Sequence, residues 1–279
     1  MSSQFTPKPL VSITFPIHRY HEYAEEALIS ILSQDYEEIE VLFLDNSDSG
    51  LKNLFDLSNQ AIRYLRLPKT FGLSETLNVA IEEARGIYLA RMDHDDISLP
   101  YRIRKQVDYM EENPSISISG TSIYVIGDSI DEHAAPGEVL SRPVSHNDLK
   151  LNLISKNAFF HPTVIFRLSD IREEKLFYRS KYDSAEDLDF WSRASQTLQL
   201  GNLDEPLLKY RLHANQYSRI DGANSNFIAI QVKMRHVFLL IKSGELNLTV
   251  GVKVLSRLLF QFLKAKRITF RKQKFYKFR

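Results

Sequence analysis

Apolar residues fall into two alternating rhythms along the chain. Short continuous runs at 10–15, 39–44, 62–65 and 87–90 have the length of strands buried on both faces. Between them the spacing widens to three and four. Ala24, Ala27, Leu28, Ile31 and Leu32 share one helical face. Leu73, Leu77, Ala80, Ile81 and Ala84 share another, with Gly86 expected as the C-cap. Pro16 is expected to stop the first strand, because it has no N–H for a ladder. The order β-α-β-β-α-β predicts an α/β fold with an open, mostly parallel sheet flanked by helices. Ligands of such sheets bind beyond the carboxyl ends of the strands.

Farther on, Leu99, Ile103, Val107 and Met110 predict a helix opened by Pro100 and ending before Asn113-Pro114. Residues 116–126 read as a strand, 127–143 as a polar, mobile loop, and 159–166 as an edge or bent strand interrupted by Pro162. A polar loop at 178–189 runs into a helix with Leu188, Trp191, Ala194 and Leu198 inward. Residues 207–213 form a last strand.

The 279 residues suffice for one large domain or two small ones, and none is cysteine. Disulfides, thiolate metal sites and cysteine nucleophiles are thereby excluded. No apolar segment reaches the length of a membrane span, and residues 1–10 lack the pattern of a signal peptide. A cytoplasmic location is the expectation. The net charge of +1 hides an asymmetry: residues 246–279 hold ten Lys plus Arg and no acid, whereas 1–245 hold 26 basic and 35 acidic residues. An acidic body thus carries a basic tail, and the two are expected to meet different partners.

Candidate chemistry begins at Arg91-Met92-Asp93-His94-Asp95-Asp96, which ends the fourth apolar run. Three carboxylates within four residues repel one another unless a cation sits among them, and oxygen-only ligands suit Mg²⁺ or Mn²⁺. The plainer alternative is a solvated acidic turn with Asp96 capping the next helix. Asp45 ends the second apolar run, so two acidic loops share one rim of the sheet.

Five motifs in chain order resemble the family 2 glycosyltransferases of the nucleotide-sugar-binding type A (GT-A) fold. They are the strand before Pro16 with its helix ending in Gln34-Asp35-Tyr36, and Leu44-Asp45-Asn46-Ser47. Next come the Gly72-Leu73 helix before Asp93-His94-Asp95-Asp96, then Glu186-Asp187-Leu188-Asp189-Phe190-Trp191, and Tyr210-Arg211-Leu212-His213. The resemblance runs from about 11 to 218. It implies a glycosyltransferase domain at 1–218, with a nucleotide-binding half to about 115 and an acceptor half at 116–218. A C-terminal extension of amphipathic helices and basic tail follows at 219–279. Two departures stand out, Ile17-His18-Arg19 after Pro16 and Asn46 where the family has a second aspartate.

The implied activity moves a sugar, with inversion, from a nucleoside-diphosphate sugar (UDP-sugars first) to the hydroxyl of a saccharide or lipid-linked acceptor in bacterial surface polysaccharide, O-antigen or capsule synthesis. Asp95, Asp93 and His213 would hold a divalent cation, Mn²⁺ or Mg²⁺. Pro16, Asp45, Arg91 and Asp93 would contact the nucleotide sugar, and Asp187 would be the general base. A hydrogen-bonded strand-end histidine is the alternative for His213, and helix capping is that for Glu186-Asp187. Arg102 and Arg211 are further phosphate candidates, with His161 and Lys181 looser ones.

Two other functions share parts of this pattern. A sugar-phosphate nucleotidyltransferase needs a glycine-rich loop where Pro16-Ile17-His18-Arg19 stands. A non-catalytic nucleotide-sugar or carbohydrate-binding protein would not need both Asp95 and Asp187. In the tail, Lys253, Arg257, Gln261 and Lys264 form a polar stripe beside a wide apolar face. That pattern predicts attachment to an anionic membrane surface; packing on the domain or on a second copy in a homodimer is the alternative. Nucleic acid is disfavoured by the acidic body.

Overall fold

The computed structural model describes residues 7–127, 134–213 and 222–276, with side chains at 7–127, 134–213 and 226–263. Strands β1 (Val11–Ile17), β2 (Ile39–Asp45), β3 (Ile62–Arg66) and β4 (Tyr88–Arg91) are parallel, in the order β3-β2-β1-β4. Helices α1 (Ala24–Leu32) and α2 (Leu73–Glu83) make the crossovers. The sheet then continues with antiparallel β8 (Ile165–Arg167) and with β6 (Ile116–Gly127). Beyond them lie β9 (Gln199–Leu212), parallel to β6, and the edge strand β5 (Ile97–Ser98). A short β7 (Val139–Leu140) pairs with β6 off this path. Helices α3 (Arg102–Glu112), α4 (His146–Asn152), α5 (Leu168–Glu173) and α6 (Glu186–Ala194) complete the described body. Two long helices, α7 (Gly222–Lys242) and α8 (Leu248–Tyr276), follow.

The unbroken apolar runs of the parallel half are explained by two cores, one on each sheet face. In β2, Val41 and Phe43 join Ile13, Phe15, Ile31 and Ile103 on one side. Leu42 and Leu44 join Leu77, Ile81, Phe166 and Trp191 on the other. Side chains 41–44 of β2 thus find apolar partners on both faces, which is why this run is unbroken.

Several expectations shift. Pro16 lies within β1 rather than ending it. The Ile17 carbonyl accepts from Asn46 N–H on the β2 side, so the Pro16 nitrogen points the other way, where β4 has already ended. Helix α2 stops at Glu83 with Ala84 as C-cap, not at Gly86. Gly86 instead lies where β1 crosses: a Cβ there would come within 2.6 Å of Ser12 N and Tyr88 O. Pro100 precedes a turn, and α3 starts at Arg102. The 159–166 segment is a strand only from Ile165, because His161–Thr163 form a 3₁₀ turn that accepts Pro162 near its start. Part of the 127–143 loop is ordered as β7; residues 128–133 lie outside the described set, as does the expected boundary at 218.

The Gly86 contacts generate a stability prediction. Gly86→Ala forces a methyl onto backbone atoms that belong to two paired strands, so it should lower stability by about 1–3 kcal/mol. The urea-unfolding midpoint reads this directly. A shift equivalent to less than about 0.5 kcal/mol, the usual surface range, would show that the strands relax freely.

Candidate active site

The acidic turn after β4 is built by strand pairing. Edge strand β5 follows it and runs antiparallel to β9, with Ile97 opposite Lys209. That register carries the end of β9 back along the turn. Arg211 N–H donates to Asp96 Oδ1 at 2.9 Å, and Arg211 Nε donates to the Asp95 carbonyl at 2.9 Å. Two residues on, His213 Nε2 lies 2.9 Å from Asp95 Oδ2. His213 and Asp95, 118 residues apart, are therefore neighbours, here as hydrogen-bond partners.

Carboxylate oxygens of Asp93, Asp95 and Asp96 all lie within 4.8 Å of one another. Asp96 is buried, and its Oδ2 has no hydrogen-bond partner among the described residues. Burial, then the charges of Asp95 and Asp93, push the Asp96 pKa well above the carboxylate range. Burial opposes ionisation at Asp95 too, but the His213 hydrogen bond and the nearby His94 outweigh it and hold its pKa low. One orphaned buried oxygen amid repelling carboxylates fits an oxygen-seeking divalent cation. The acidic turn is thus neither solvated nor a helix cap, and Asp96 joins the two aspartates anticipated as ligands.

Beside the turn lies a cleft of about 390 Å³ lined by Pro16, Ile17, His18, Asn46, Lys69, Phe71 and Asp93, among others. Asp45 is not on its wall. The Asp45 carboxylate is 0 % exposed and saturated by Ser47 N–H and hydroxyl, Arg66, Leu51 N–H and the Tyr64 hydroxyl. Burial works against its charge, but these donors prevail and its pKa falls. Asp45 thus shapes the loop that offers Asn46 and Asp48 to the cleft. Arg91 is 4 % exposed; its side chain ion-pairs with Asp93, and its Nε has no partner among the described residues. Arg102, offered as a phosphate contact, is fully buried and donates to the Arg91 carbonyl at 2.8 Å and to Gln106 at 2.9 Å. Arg211 pairs with Glu26 at 2.6 Å and stacks on Tyr23.

A second acidic pair, Glu186 and Asp187, lies within the field of Arg91. Asp187, half-buried in the first turn of α6, accepts from Leu188 N–H at 2.6 Å and from the Asn157 amide. Burial raises its pKa. Glu186 is buried, its Oε2 lacks a partner among the described residues, and burial plus the Asp187 charge push its pKa to about 8. Neither residue is a simple helix cap. His161, 3.0 Å from the Tyr178 hydroxyl, is kept neutral first by burial and then by the Arg91 charge. Asn157, Tyr178 and the third aspartate are the participants that the sequence reading missed. Only Asp96, in its Asp-Asp doublet, left a signal there.

Comparison with known proteins agrees with this geometry. Residues 12–172 match the model of glycosyl transferase family 2, and the chain belongs to that family. An uncharacterized glycosyltransferase of Haemophilus influenzae is 32% identical over 237 residues, covering 82% of this chain and 73% of that protein. The O-antigen biosynthesis glycosyltransferase WbnJ of Escherichia coli is 32% identical over 218 residues, covering 73% and 80%. Among solved structures, S. aureus TarS 1-349 in complex with UDP-GlcNAc superposes with a TM-score of 0.64 at 17% identity, covering 90% of this chain and 71% of TarS. The fold is therefore GT-A, with C-terminal helices added.

The buried Glu186 generates a pH prediction. Its folded pKa, about 8, exceeds its ordinary 4.5, so between these values the folded state holds the extra proton. Stability should then fall as pH rises through that window. Glu186→Gln stays neutral and should flatten the fall, with a higher thermal midpoint than the parent at pH 8.5 and a similar one near pH 4.5. An unchanged slope would mean that Glu186 is ionised and solvated.

Proposed function

We propose that the chain is an inverting, metal-dependent glycosyltransferase that moves a sugar from a nucleoside-diphosphate sugar, UDP-linked first, to an acceptor hydroxyl. The reading rests above all on one observation: three clustered carboxylates, one with an orphaned buried oxygen, follow Arg91 at the end of β4, and Asp187, a half-buried carboxylate with raised pKa, lies within the field of the same arginine. The acceptor belongs to surface polysaccharide or O-antigen synthesis, as the names of WbnJ and of the amylovoran biosynthesis glycosyltransferase AmsE suggest. It is a saccharide or lipid-linked saccharide, met in the cytoplasm at the inner face of the membrane. No helix among the described residues is long and apolar enough to cross a membrane. The UDP and UDP-GlcNAc complexes of TarS support the choice of donor base.

In this reading Asp93, Asp95 and Asp96 hold Mn²⁺ or Mg²⁺, with His213 orienting Asp95 or exchanging its hydrogen bond for the ion. The ion supplies neutralisation of the diphosphate charge. Pro16, Ile17 and Asn46 seat the nucleotide, Asp45 holds their loop, and Arg91 positions Asp93. Asp187 takes the proton of the acceptor hydroxyl as its oxygen attacks the anomeric carbon. The new C–O bond forms on the face opposite the departing diphosphate, which leaves with the electron pair of the broken bond, so configuration inverts. A carboxylate whose pKa burial raises suits that task, since a more basic carboxylate takes the proton more readily. Asn157 and Leu188 N–H keep its oxygens aimed.

A thermal-shift screen of UDP-, GDP- and dTDP-sugars with Mn²⁺ or EDTA tests donor binding. A ligand at 100 times its Kd should stabilise by about 2.7 kcal/mol. Asp95→Ala should lose the metal-dependent part of the shift while keeping or slightly raising intrinsic stability. Equal binding of all donors in EDTA overturns the metal role. Asp187→Asn should reduce turnover by about 10²–10⁴ with the donor-induced shift unchanged. Near-parental turnover would remove Asp187 as the base, and donor binding without turnover under any condition would favour a non-catalytic binder.

A further inference from the structure

Helix α8 does not bury its whole apolar face. Its inner side packs on α7: Phe262 stacks on Phe227 with ring centroids 4.4 Å apart, Gly251 lets Ile241 approach, and Leu258 is 7 % exposed. The apolar face read from the sequence is therefore split. Leu248, Val252, Leu259 and Leu263, spaced i, i+4, i+11 and i+15, lie beside the face packed on α7 and are 49–64 % exposed. They fall within about 60° of helical arc. Phe260, at 71 %, and exposed Lys253 and Arg257 occupy the next sector of the helix, on the side opposite α7. Beyond Leu263 the sequence adds eight Lys or Arg and no acid.

We infer that this outer face of α8 is a docking surface for an anionic lipid bilayer, with the helix lying in the plane of the interface. The chemistry is that of an interfacial helix: an apolar stripe for the acyl boundary, an aromatic residue beside it, and cations at headgroup level. Charge complementarity selects the occupant. A second copy would bring an equal set of uncompensated cations against this set, whereas anionic headgroups neutralise them. The surface extends the lipid-linked acceptor proposed above, yet its binding is read without turnover, so either proposal can fail alone. Because α7 packs on both α6 and α8, a bilayer under α8 would have a fixed relation to the helix that carries Asp187.

The test is co-sedimentation of the full chain with phosphatidylcholine vesicles containing or lacking phosphatidylglycerol, paired with sedimentation equilibrium. Binding to the anionic vesicles alone is expected, and high salt should weaken it. Lys253→Gln and Arg257→Gln should each weaken it roughly fivefold. Leu259→Ser/Phe260→Ser, at exposed positions and with unchanged circular dichroism, should weaken it further without changing the mass in solution. Absence of vesicle binding overturns the proposal. So does binding that ignores the Leu259/Phe260 variant, which would make the attachment purely electrostatic. A dimer that this variant dissociates would assign the stripe to a second copy instead.

Discussion

A buried guanidinium in contact with one acidic group and within the field of another is the constraint around which this molecule is arranged. Arg91 ends the central strand β4, and its backbone N–H donates to the Val164 carbonyl, so its position belongs to the sheet. Its charge acts on Asp93, Asp95 and Asp96 and also on Glu186, Asp187 and His161. Burial works against the Arg91 charge, but Asp93 more than offsets it and the pKa rises. A buried cation with an unfilled Nε is tolerable only where several carboxylates surround it. Removing those carboxylates would strand the arginine; removing the arginine would leave five acids in repulsion.

One arginine does not balance the acidic turn. At an effective dielectric of about 20, each carboxylate pair some 5 Å apart repels by on the order of 3 kcal/mol, and three carboxylates make three such pairs. The structure answers in two ways. Asp95 is held in its charged form by His213 and His94, while burial and the two neighbouring charges push the pKa of Asp96, deepest of the three, well above the carboxylate range. A divalent ion would relieve all three repulsions at once. The edge pairing of β5 with β9 matters for this reason: without it, neither the Arg211 N–H nor His213 would reach the turn.

The parallel half of the fold was legible because its signals are local. Strand runs feeding two cores, helix stripes and an aspartate at each of two strand ends can all be read within a window of a dozen residues. The second half was less legible because its order is set by pairing. Residues 97–98 are too short to show a period, yet they place His213. Residues 161–163 sit in an apolar run and still turn, because Pro162 suits a 3₁₀ start better than a ladder. The resemblance identified Asp93, Asp95, Asp187 and His213 as a group, and the structure brings Asp93, Asp95 and His213 together. What the sequence could not show was depth. Asp45, Arg91 and Arg102 read as available charges, and only the packing around them reveals that all three are buried and already engaged by groups of the protein itself.

The same logic of committed charge joins the catalytic half to the C-terminal helices. Asp189, 0 % exposed on α6, faces Arg193 of its own helix at 3.0 Å, Arg235 of α7 at 2.8 Å and Arg179 of the preceding loop. Burial disfavours this carboxylate, but the three guanidiniums hold its pKa below the usual range. The balance is lopsided by two positive charges, which the partial exposure of the arginines makes tolerable. Loss of any one arginine leaves the carboxylate still paired, whereas loss of Asp189 leaves three cations repelling across the α6–α7 joint. His236 of α7 adds a neutral tie: it is buried, with Nδ1 3.0 Å from the Ser192 hydroxyl and Nε2 2.8 Å from the Lys150 carbonyl. The joint is therefore specific in direction as well as sticky. Because Asp189 lies two residues from Asp187, the contact that fixes α7 also fixes the first turn of α6, and with it the carboxylate assigned to receive the acceptor's proton.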